Sequence, residues 1–123
     1  MKLGTFSISL AVKDITASRA FYQKLGFAMV DGDPDQGWLI LANGDAKVGL
    51  FQDMFESNIL TFHPGVRPAG APAEDHLDIR DMQKQLKHQG MTFVSEADES
   101  TSGPASFMLT DPDGNTILVD QHA

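Results

Sequence analysis

The sequence predicts a mixed α+β fold of two tandem βαβββ modules, and three observations support this prediction. A strand-like segment that leads into a helical stretch occurs twice, at Ser9–Ile15 and again at His76–Met82. Each helical stretch ends at a glycine, Gly26 in the first half and Gly90 in the second. The chain has 123 residues, and two independent domains of about 60 residues each would be marginal in core burial. We therefore expect one domain over residues 1–123, in which the duplicated module can enclose a cavity.

The first module, at about residues 1–60, is predicted to begin with a half-buried strand and a capped helix. Residues 3–12 alternate between apolar and small or polar side chains, which is typical of a strand. Asp14 can cap the helix that follows, and Gly26 can end it. The helix is expected to cover the apolar side of the strand with an inward stripe of Ile15, Ser18, Phe21, Tyr22 and Leu25. The other side of the strand leaves room for a ligand, because it carries the small residues Ser7, Ser9 and Ala11.

Three further strands are predicted in each module. In the first module they lie at residues 27–31, 38–42 and 46–52, with a hairpin turn at 43–45. The second module, residues 74–123, is predicted to begin with a strand at 74–80 and a helix that Asp81 caps, with Met82 and Leu86 facing inward. Its remaining strands are predicted at 91–95, 105–110 and 116–121, with Pro112 and Gly114 in the last turn.

Residues 53–73 form a long connection between the modules that is expected to be a linker, a lid or a dimer contact. A short strand at Ile59–Phe62 is compatible with its sequence. Its larger apolar residues either pack on their own domain or on a partner subunit, or line the site. They are Met54, Phe55, Ile59 and Phe62.

Composition restricts the functional classes. The chain is 41% hydrophobic and 21% charged, which is typical of a soluble globular protein, and neither a membrane-spanning run nor a secretory leader is visible. The absence of cysteine excludes disulfides, thiolate nucleophiles and zinc–thiolate sites, and fits a cytoplasmic location. The net charge of −8 without a basic cluster argues against nucleic acid and membrane surfaces as partners.

Several short motifs, in this order, resemble the vicinal oxygen chelate superfamily. They are residues 12–15, Ser18, Phe21-Tyr22, residues 25–27, Ser106-Phe107 and the Asp-Pro-Asp-Gly-Asn turn at 111–115. The superfamily includes glyoxalase I, extradiol dioxygenases, methylmalonyl-CoA epimerase, fosfomycin-modifying thiol transferases and metal-free bleomycin-binding proteins. The resemblance implies that the two βαβββ modules form a half-open, mostly antiparallel sheet around a cavity, often completed across a homodimer.

The resemblance also implies a metal site, but most of its ligand positions are not conserved in this chain. Metal-dependent members hold a divalent ion with His, Gln or Glu from the first strand of each module and Glu from the last. The corresponding residues here are Ser7 and Leu118, and Leu50 stands where some members have Glu. Glu74 alone lies at a plausible ligand position, and one carboxylate does not hold a catalytic metal. We therefore expect no metal cofactor.

A displaced metal site is the alternative that the sequence leaves open. Strand alternation would place Glu74, His76 and Asp78 on one face, where His76 could meet Asp120 and Gln52 inside the cavity. One His with two carboxylates, the set Glu74, His76 and Asp120, suits iron or manganese. Alternatively, His76 only hydrogen-bonds a neighbouring carboxylate and the two acids are solvated. The other histidines, His63, His88 and His122, are expected to be exposed or almost terminal and without a catalytic role.

Trp38, the only tryptophan, is either core filler or an aromatic wall for a planar or cationic ligand. The leading hypothesis is a metal-independent protein that binds or sequesters a small molecule, as a homodimer. Its predicted pocket residues are Ser7, Ser9, Trp38, Gln52, His76 and Asp120. The first alternative is a metal-dependent enzyme of the lyase, isomerase or dioxygenase type that uses Glu74, His76 and Asp120. The second is a non-catalytic interaction module.

Overall fold

The structure is a computed structural model, and it describes residues 1–66 and 76–123. The described residues form a mixed α+β fold, as predicted. The helices are α1 (Ile15–Lys24) and α2 (Ile79–His88), and a short 3₁₀ turn occupies Pro34–Gln36. The strands are β1 (Thr5–Val12), β2 (Ala28–Asp33), β3 (Trp38–Asn43), β4 (Ala46–Gln52), β5 (Ile59–His63), β6 (Phe93–Ser95), β7 (Ala105–Thr110) and β8 (Thr116–Gln121).

The chain divides into two compact units. The first unit is Ser7–Ile59, and the second unit is Met1–Phe6 together with Leu60–Ala123. Strands in the first unit follow the order β2-β3-β4-β1, with β1 parallel to β4 and the other neighbours antiparallel. In the second unit the order is β6-β7-β8-β5. Each unit therefore places its first strand beside its last, which confirms the predicted internal repeat.

The strand predicted at residues 74–80 is wrong over its described part, residues 76–80. Residues 76–78 are not a strand, and α2 begins at Ile79 with Asp78, not Asp81, as its N-cap. Asp78 accepts a hydrogen bond from the Arg80 backbone N–H (2.9 Å), as an N-cap does. The first strand of this module is instead β5. The alternation of Leu77 and Ile79 suggested a strand, but Ile79 and Met82 belong to the inward side of a helix.

In the first unit, α1 packs on one face of the sheet. Its core consists of Ile15, Leu39, Leu41, Val48 and Leu50, against which Ile8, Leu10, Val12, Tyr22 and Phe27 pack. The predicted strand alternation is thus confirmed for β1. The predicted helix stripe is wrong at two positions, because Phe21 is 60% exposed and Leu25 is 58% exposed. These two residues are four apart and lie on a side of α1 that faces away from the core.

The second unit has an equivalent core beneath α2. It consists of Ile79, Met82, Phe107, Leu109 and Val119, with partly buried neighbours that include Leu86, Phe93 and Ile117. The inward positions predicted for Met82 and Leu86 are therefore confirmed. Neither described helix, each of ten residues, is long and apolar enough to cross a membrane.

The last strand of each unit is bonded to the start of its helix in the same way. The Gln52 side-chain oxygen, at the end of β4, accepts a hydrogen bond from the Ile15 N–H (2.8 Å). The Gln121 side-chain oxygen, at the end of β8, accepts one from the Ile79 N–H (2.9 Å). These bonds satisfy helix N–H groups that have no partner within the helix. We call Gln52 and Gln121 the tether glutamines, since each fixes the end of one strand against one helix.

Candidate functional site

The sheet face opposite α1 in the first unit presents an ordered row of side chains. Since Ile8, Leu10, Leu39 and Leu50 lie on the α1 side, their strand neighbours point the other way. Strand register then aligns four residues across β1, β4, β3 and β2. They are Ala11, Phe51, Trp38 and Asp33. The row combines one small residue, two aromatic rings and one carboxylate.

Small residues lie beside the aromatic ones in the next row of the same face. This row consists of Ser9, Gly49, Ile40 and Asp31. A Cβ on Gly49 would lie 2.6 Å from the Phe51 ring, so the ring extends over the glycine. Ser9 and Ala11 are half-buried, and Asp31 is exposed. The face therefore combines small residues with neighbouring aromatic rings, and it carries carboxylates along the β2 edge.

Trp38, Phe51 and Phe55 form a continuous aromatic cluster. The Trp38 and Phe51 rings are nearly parallel, with centroids 6.5 Å apart and an angle of 10° between their planes. Phe55 tilts against Phe51 at 5.2 Å. All three side chains are half-buried, so they are fixed by packing while part of each ring remains accessible. Aromatic faces in this state can stack on a planar or cationic ligand.

An open cavity of about 510 Å³ borders the aromatic cluster. Phe55 and Ala11 line it together with charged residues of both signs, Lys13, Asp53 and Glu56. Asp53 adopts a left-handed backbone conformation (φ 61), which is uncommon outside glycine. A second cavity of about 400 Å³ shares Asp53 and also includes Gln52. The volume suits a small organic molecule.

The second unit carries a compact group of two histidines and one aspartate, which we call the histidine cluster. It consists of His63, Asp120 and His122, each with one potential ligand atom within 4.8 Å of the others. His63 ends β5, and Asp120 lies in the neighbouring strand β8, followed by His122. This group is not among the sites predicted from the sequence. The sequence suggests that His63 is exposed, but His63 lies in a strand and is half-buried.

His76, a predicted pocket residue, lies on a turn of the second unit. Its Nδ1 donates a hydrogen bond to the Leu77 carbonyl oxygen (2.8 Å), and its ring packs on Gly65, which has no Cβ. The residue is exposed and borders a shallow cavity lined by Met1, Lys2 and Leu77. The Asp120 carboxylate lies 3.4 Å from His122 Nε2, and the Asp120 carbonyl oxygen accepts a hydrogen bond from His63.

Within the first unit, several of the predicted site residues lie on one face of the sheet. Ser9 and Trp38 share the face opposite α1, while Ser7 lies on the same side of β1 by alternation. The Gln52 oxygen is engaged with the helix, although the residue also lines a cavity. Glu74 lies outside the described residues. The binding role of each predicted residue, and the homodimer, remain predictions.

Comparisons with known proteins agree with the observed fold. A family model described as the Glyoxalase/Bleomycin resistance protein/Dioxygenase superfamily matches residues 4–119. A bleomycin resistance protein of Klebsiella pneumoniae is 27% identical over 124 residues, covering 93% of this chain and 89% of that protein.

Two solved structures illustrate the shared architecture. One is a superfamily member from Vibrio splendidus 12B01, with a TM-score of 0.66 at 18% identity over 94% of this chain and 97% of that one. The other is methylmalonyl-CoA epimerase from Mycobacterium tuberculosis, with a TM-score of 0.66 at 18% identity over 100% and 93% of the two chains. At these identities the likeness supports the fold alone. Because the family model spans nearly the whole sequence, the chain belongs to the glyoxalase/bleomycin resistance protein/dioxygenase superfamily.

Proposed function

We propose that the protein binds and sequesters a planar, cationic aromatic small molecule on the aromatic cluster of the first unit, without a metal ion. One observation carries the proposal. The parallel, half-buried rings of Trp38 and Phe51 lie in one row of the sheet with Asp33 at its end. The related Klebsiella protein is named for bleomycin resistance, so bleomycin is the first ligand to test.

Elementary interactions explain why this face favours such a ligand. Stacking on an aromatic ring contributes about 0.5–1.5 kcal/mol beyond burial, and a cation over a ring adds about 0.5–1 kcal/mol at an exposed site. Asp31 and Asp33 border the rings and attract positive charge. The small side chain of Ser9 leaves space beside the rings, so a flat molecule can approach them.

Metal independence is proposed on the identity of the residues at the superfamily's ligand positions. Ser7 and Leu118 stand where metal-dependent members have a His, Gln or Glu. Leu50 is fully buried in the core of the first unit, so its position does not reach a ligand. Leucine has no donor atom for a cation, and a lone serine is a weak ligand for a divalent ion.

Trp38 provides a direct test, since all tryptophan fluorescence comes from this one residue. We expect bleomycin or another planar cationic compound to change the emission in a saturable way, with the same affinity in excess EDTA. Calorimetry should show that Trp38→Leu weakens binding about tenfold, the loss of roughly 1.4 kcal/mol. Mass spectrometry should recover the ligand unmodified, which separates a binding protein from an enzyme.

Phe21→Leu is the matched control, because Phe21 is an exposed aromatic residue of the same unit outside the face. It should leave the affinity unchanged, whereas Phe55→Leu should weaken it. Equal losses for Phe21→Leu and Trp38→Leu would contradict the proposed site. Loss of binding in EDTA would contradict metal independence, and conversion of the ligand would favour the enzyme.

A further inference from the structure

We infer that the histidine cluster of the second unit is a binding site for a divalent cation of the borderline class, such as Zn²⁺. The site goes beyond the proposed ligand binding, which uses different residues. His63, Asp120 and His122 supply two imidazoles and one carboxylate, with their ligand atoms within 4.8 Å of one another. This donor set is typical of zinc and non-haem iron or manganese sites.

The backbone arranges the three donors before any ion binds. Asp120 lies in β8, and His122 directly follows the end of this strand. His122 Nε2 lies 3.4 Å from the Asp120 carboxylate. The His63 and His122 rings have centroids 4.4 Å apart, with planes at 55°. A cation that binds to both imidazoles requires their neutral form.

A hydrogen bond orients His63 in the manner found around metal ligands. Its Nδ1 donates to the Asp120 carbonyl oxygen at 3.3 Å. This bond makes Nε2 the unprotonated nitrogen, which is the form that coordinates a cation. Metal-bound histidines usually donate their other N–H to a carbonyl or carboxylate, and this contact fixes the tautomer and the ring direction.

The turn after His63 is also held in place. Gly4 (φ 76) packs so closely on the His63 carbonyl group that a Cβ there would overlap it. Thr5 donates to the Val66 carbonyl oxygen from both its backbone N–H (3.1 Å) and its hydroxyl (2.6 Å). The Val66 N–H in turn bonds the His63 oxygen (3.1 Å). His63 therefore lies on a supported backbone, which reduces the entropy lost when a cation binds.

The cluster differs from the ligand set that the resemblance implied. His63 does lie in β5, the first strand of the second unit, but the carboxylate is that of Asp120, two residues beyond Leu118, and His122 follows the last strand. Three protein donors leave further coordination positions for water or for an exogenous ligand. A net charge of −8 also favours the accumulation of cations around the protein.

The experiment is calorimetric titration of tag-free, EDTA-stripped and desalted protein with Zn²⁺ alone. We expect a stoichiometry of about one Zn²⁺ per chain and an increase in melting temperature on saturation. His122→Ala and Asp120→Asn should each weaken binding by at least about tenfold and abolish that increase. His122 is 55% exposed, so its removal should leave the fold intact, which circular dichroism checks.

His88→Ala is the matched control, because His88 is an exposed histidine of α2 in the same unit. It should bind Zn²⁺ like the unaltered protein. The inference is overturned if the unaltered protein binds no Zn²⁺, or if His88→Ala and His122→Ala lose the same affinity. Small-molecule binding measured by Trp38 fluorescence in EDTA reports the proposed function separately, so either conclusion can fail while the other stands.

Discussion

Gln121→Leu is the substitution with the sharpest expected effect on stability. Gln121 is 3% exposed and makes three hydrogen bonds. Its oxygen accepts from the buried Ile79 N–H (2.9 Å), while its Nε2 donates to the Asp78 carboxylate (3.0 Å) and to the Gly103 carbonyl oxygen (3.1 Å). Leucine has a similar volume but makes none of these bonds, so the substitution isolates their contribution.

The magnitude follows from the partners that are left behind. A net hydrogen bond contributes about 1 kcal/mol, and a buried N–H without a partner costs about 1–3 kcal/mol. The Ile79 N–H becomes such a group, while water can reach part of Asp78. We therefore expect the free energy of unfolding to fall by about 3 kcal/mol and the melting temperature by roughly 10 °C.

The same substitution should change the pH dependence of stability. The Gln121 amide, followed by the Arg80 backbone N–H and guanidinium, lowers the pKa of Asp78 from 3.8 to about 2. A depressed carboxyl pKa stabilises the folded state above pH 3.8, and this stabilisation is lost as the pH falls towards 2. Because the Asp78 side chain is 42% exposed, we discount the contribution for screening to about 1 kcal/mol. Gln121→Leu should remove much of this pH-dependent stabilisation, because the Gln121 amide is the largest cause of the lowered Asp78 pKa.

Urea denaturation at about pH 7 and at about pH 3 measures both effects. Gln52→Leu is the matched control, since the other tether glutamine is half-buried and its side chain has one described hydrogen bond, accepted from the Ile15 N–H. Gln52→Leu should lower the free energy of unfolding by only about 1 kcal/mol. A Gln121→Leu protein as stable as the unaltered one at neutral pH would refute the hydrogen-bond argument. An unchanged difference between the two pH values would refute the role of Gln121 in the Asp78 pKa.

Three further substitutions test other contacts. Gly49→Ala should displace the Phe51 ring and weaken ligand binding several-fold by calorimetry with little loss of stability, because a Cβ would lie 2.6 Å from that ring. Gly4→Ala should lower the melting temperature and weaken Zn²⁺ binding, because the Cβ would overlap the His63 carbonyl group at a left-handed φ. Gln83→Leu should destabilise the protein by about 2–3 kcal/mol in urea, since the fully buried amide makes three hydrogen bonds to the following loop.

The fold could be predicted because local sequence signals, such as helix caps and terminating glycines, mark each repeat. Asp14 caps α1 and Gly26 follows its end, and Gly90 has the same place after α2, as the sequence indicated. Strands β4, β7 and β8 have their predicted bounds. The error at residues 76–80 arose because a short segment with apolar residues at alternate positions fits a strand and a helix start equally well. The Asp78 cap and the bond that the Ile79 N–H donates to the Gln121 side chain favour the helix.

The candidate sites were harder to predict, because they depend on strand register and on pairing between distant segments. Trp38 was identified as a candidate, but Phe51 joins it only through the register of β3 with β4. His63 and Asp120 are 57 residues apart and meet because β5 neighbours β8. Their types and spacing in the sequence give no sign of this contact. The proline and the glycine after His63 indicate a loop, so the short strand that the sequence allows ends at Phe62 and leaves His63 outside it.

The tether glutamines explain how one duplicated scaffold can carry two different chemistries. Each fixes the end of its last strand to a helix, and the residue before it therefore points to the opposite face, Phe51 in the first unit and Asp120 in the second. If the tethers position these residues, Gln52→Leu should weaken aromatic ligand binding but not Zn²⁺ binding. Gln121→Leu, measured at neutral pH under conditions where the protein is folded, should weaken Zn²⁺ binding but not aromatic ligand binding. Equal effects of both substitutions on both ligands would mean that the tethers act on stability alone.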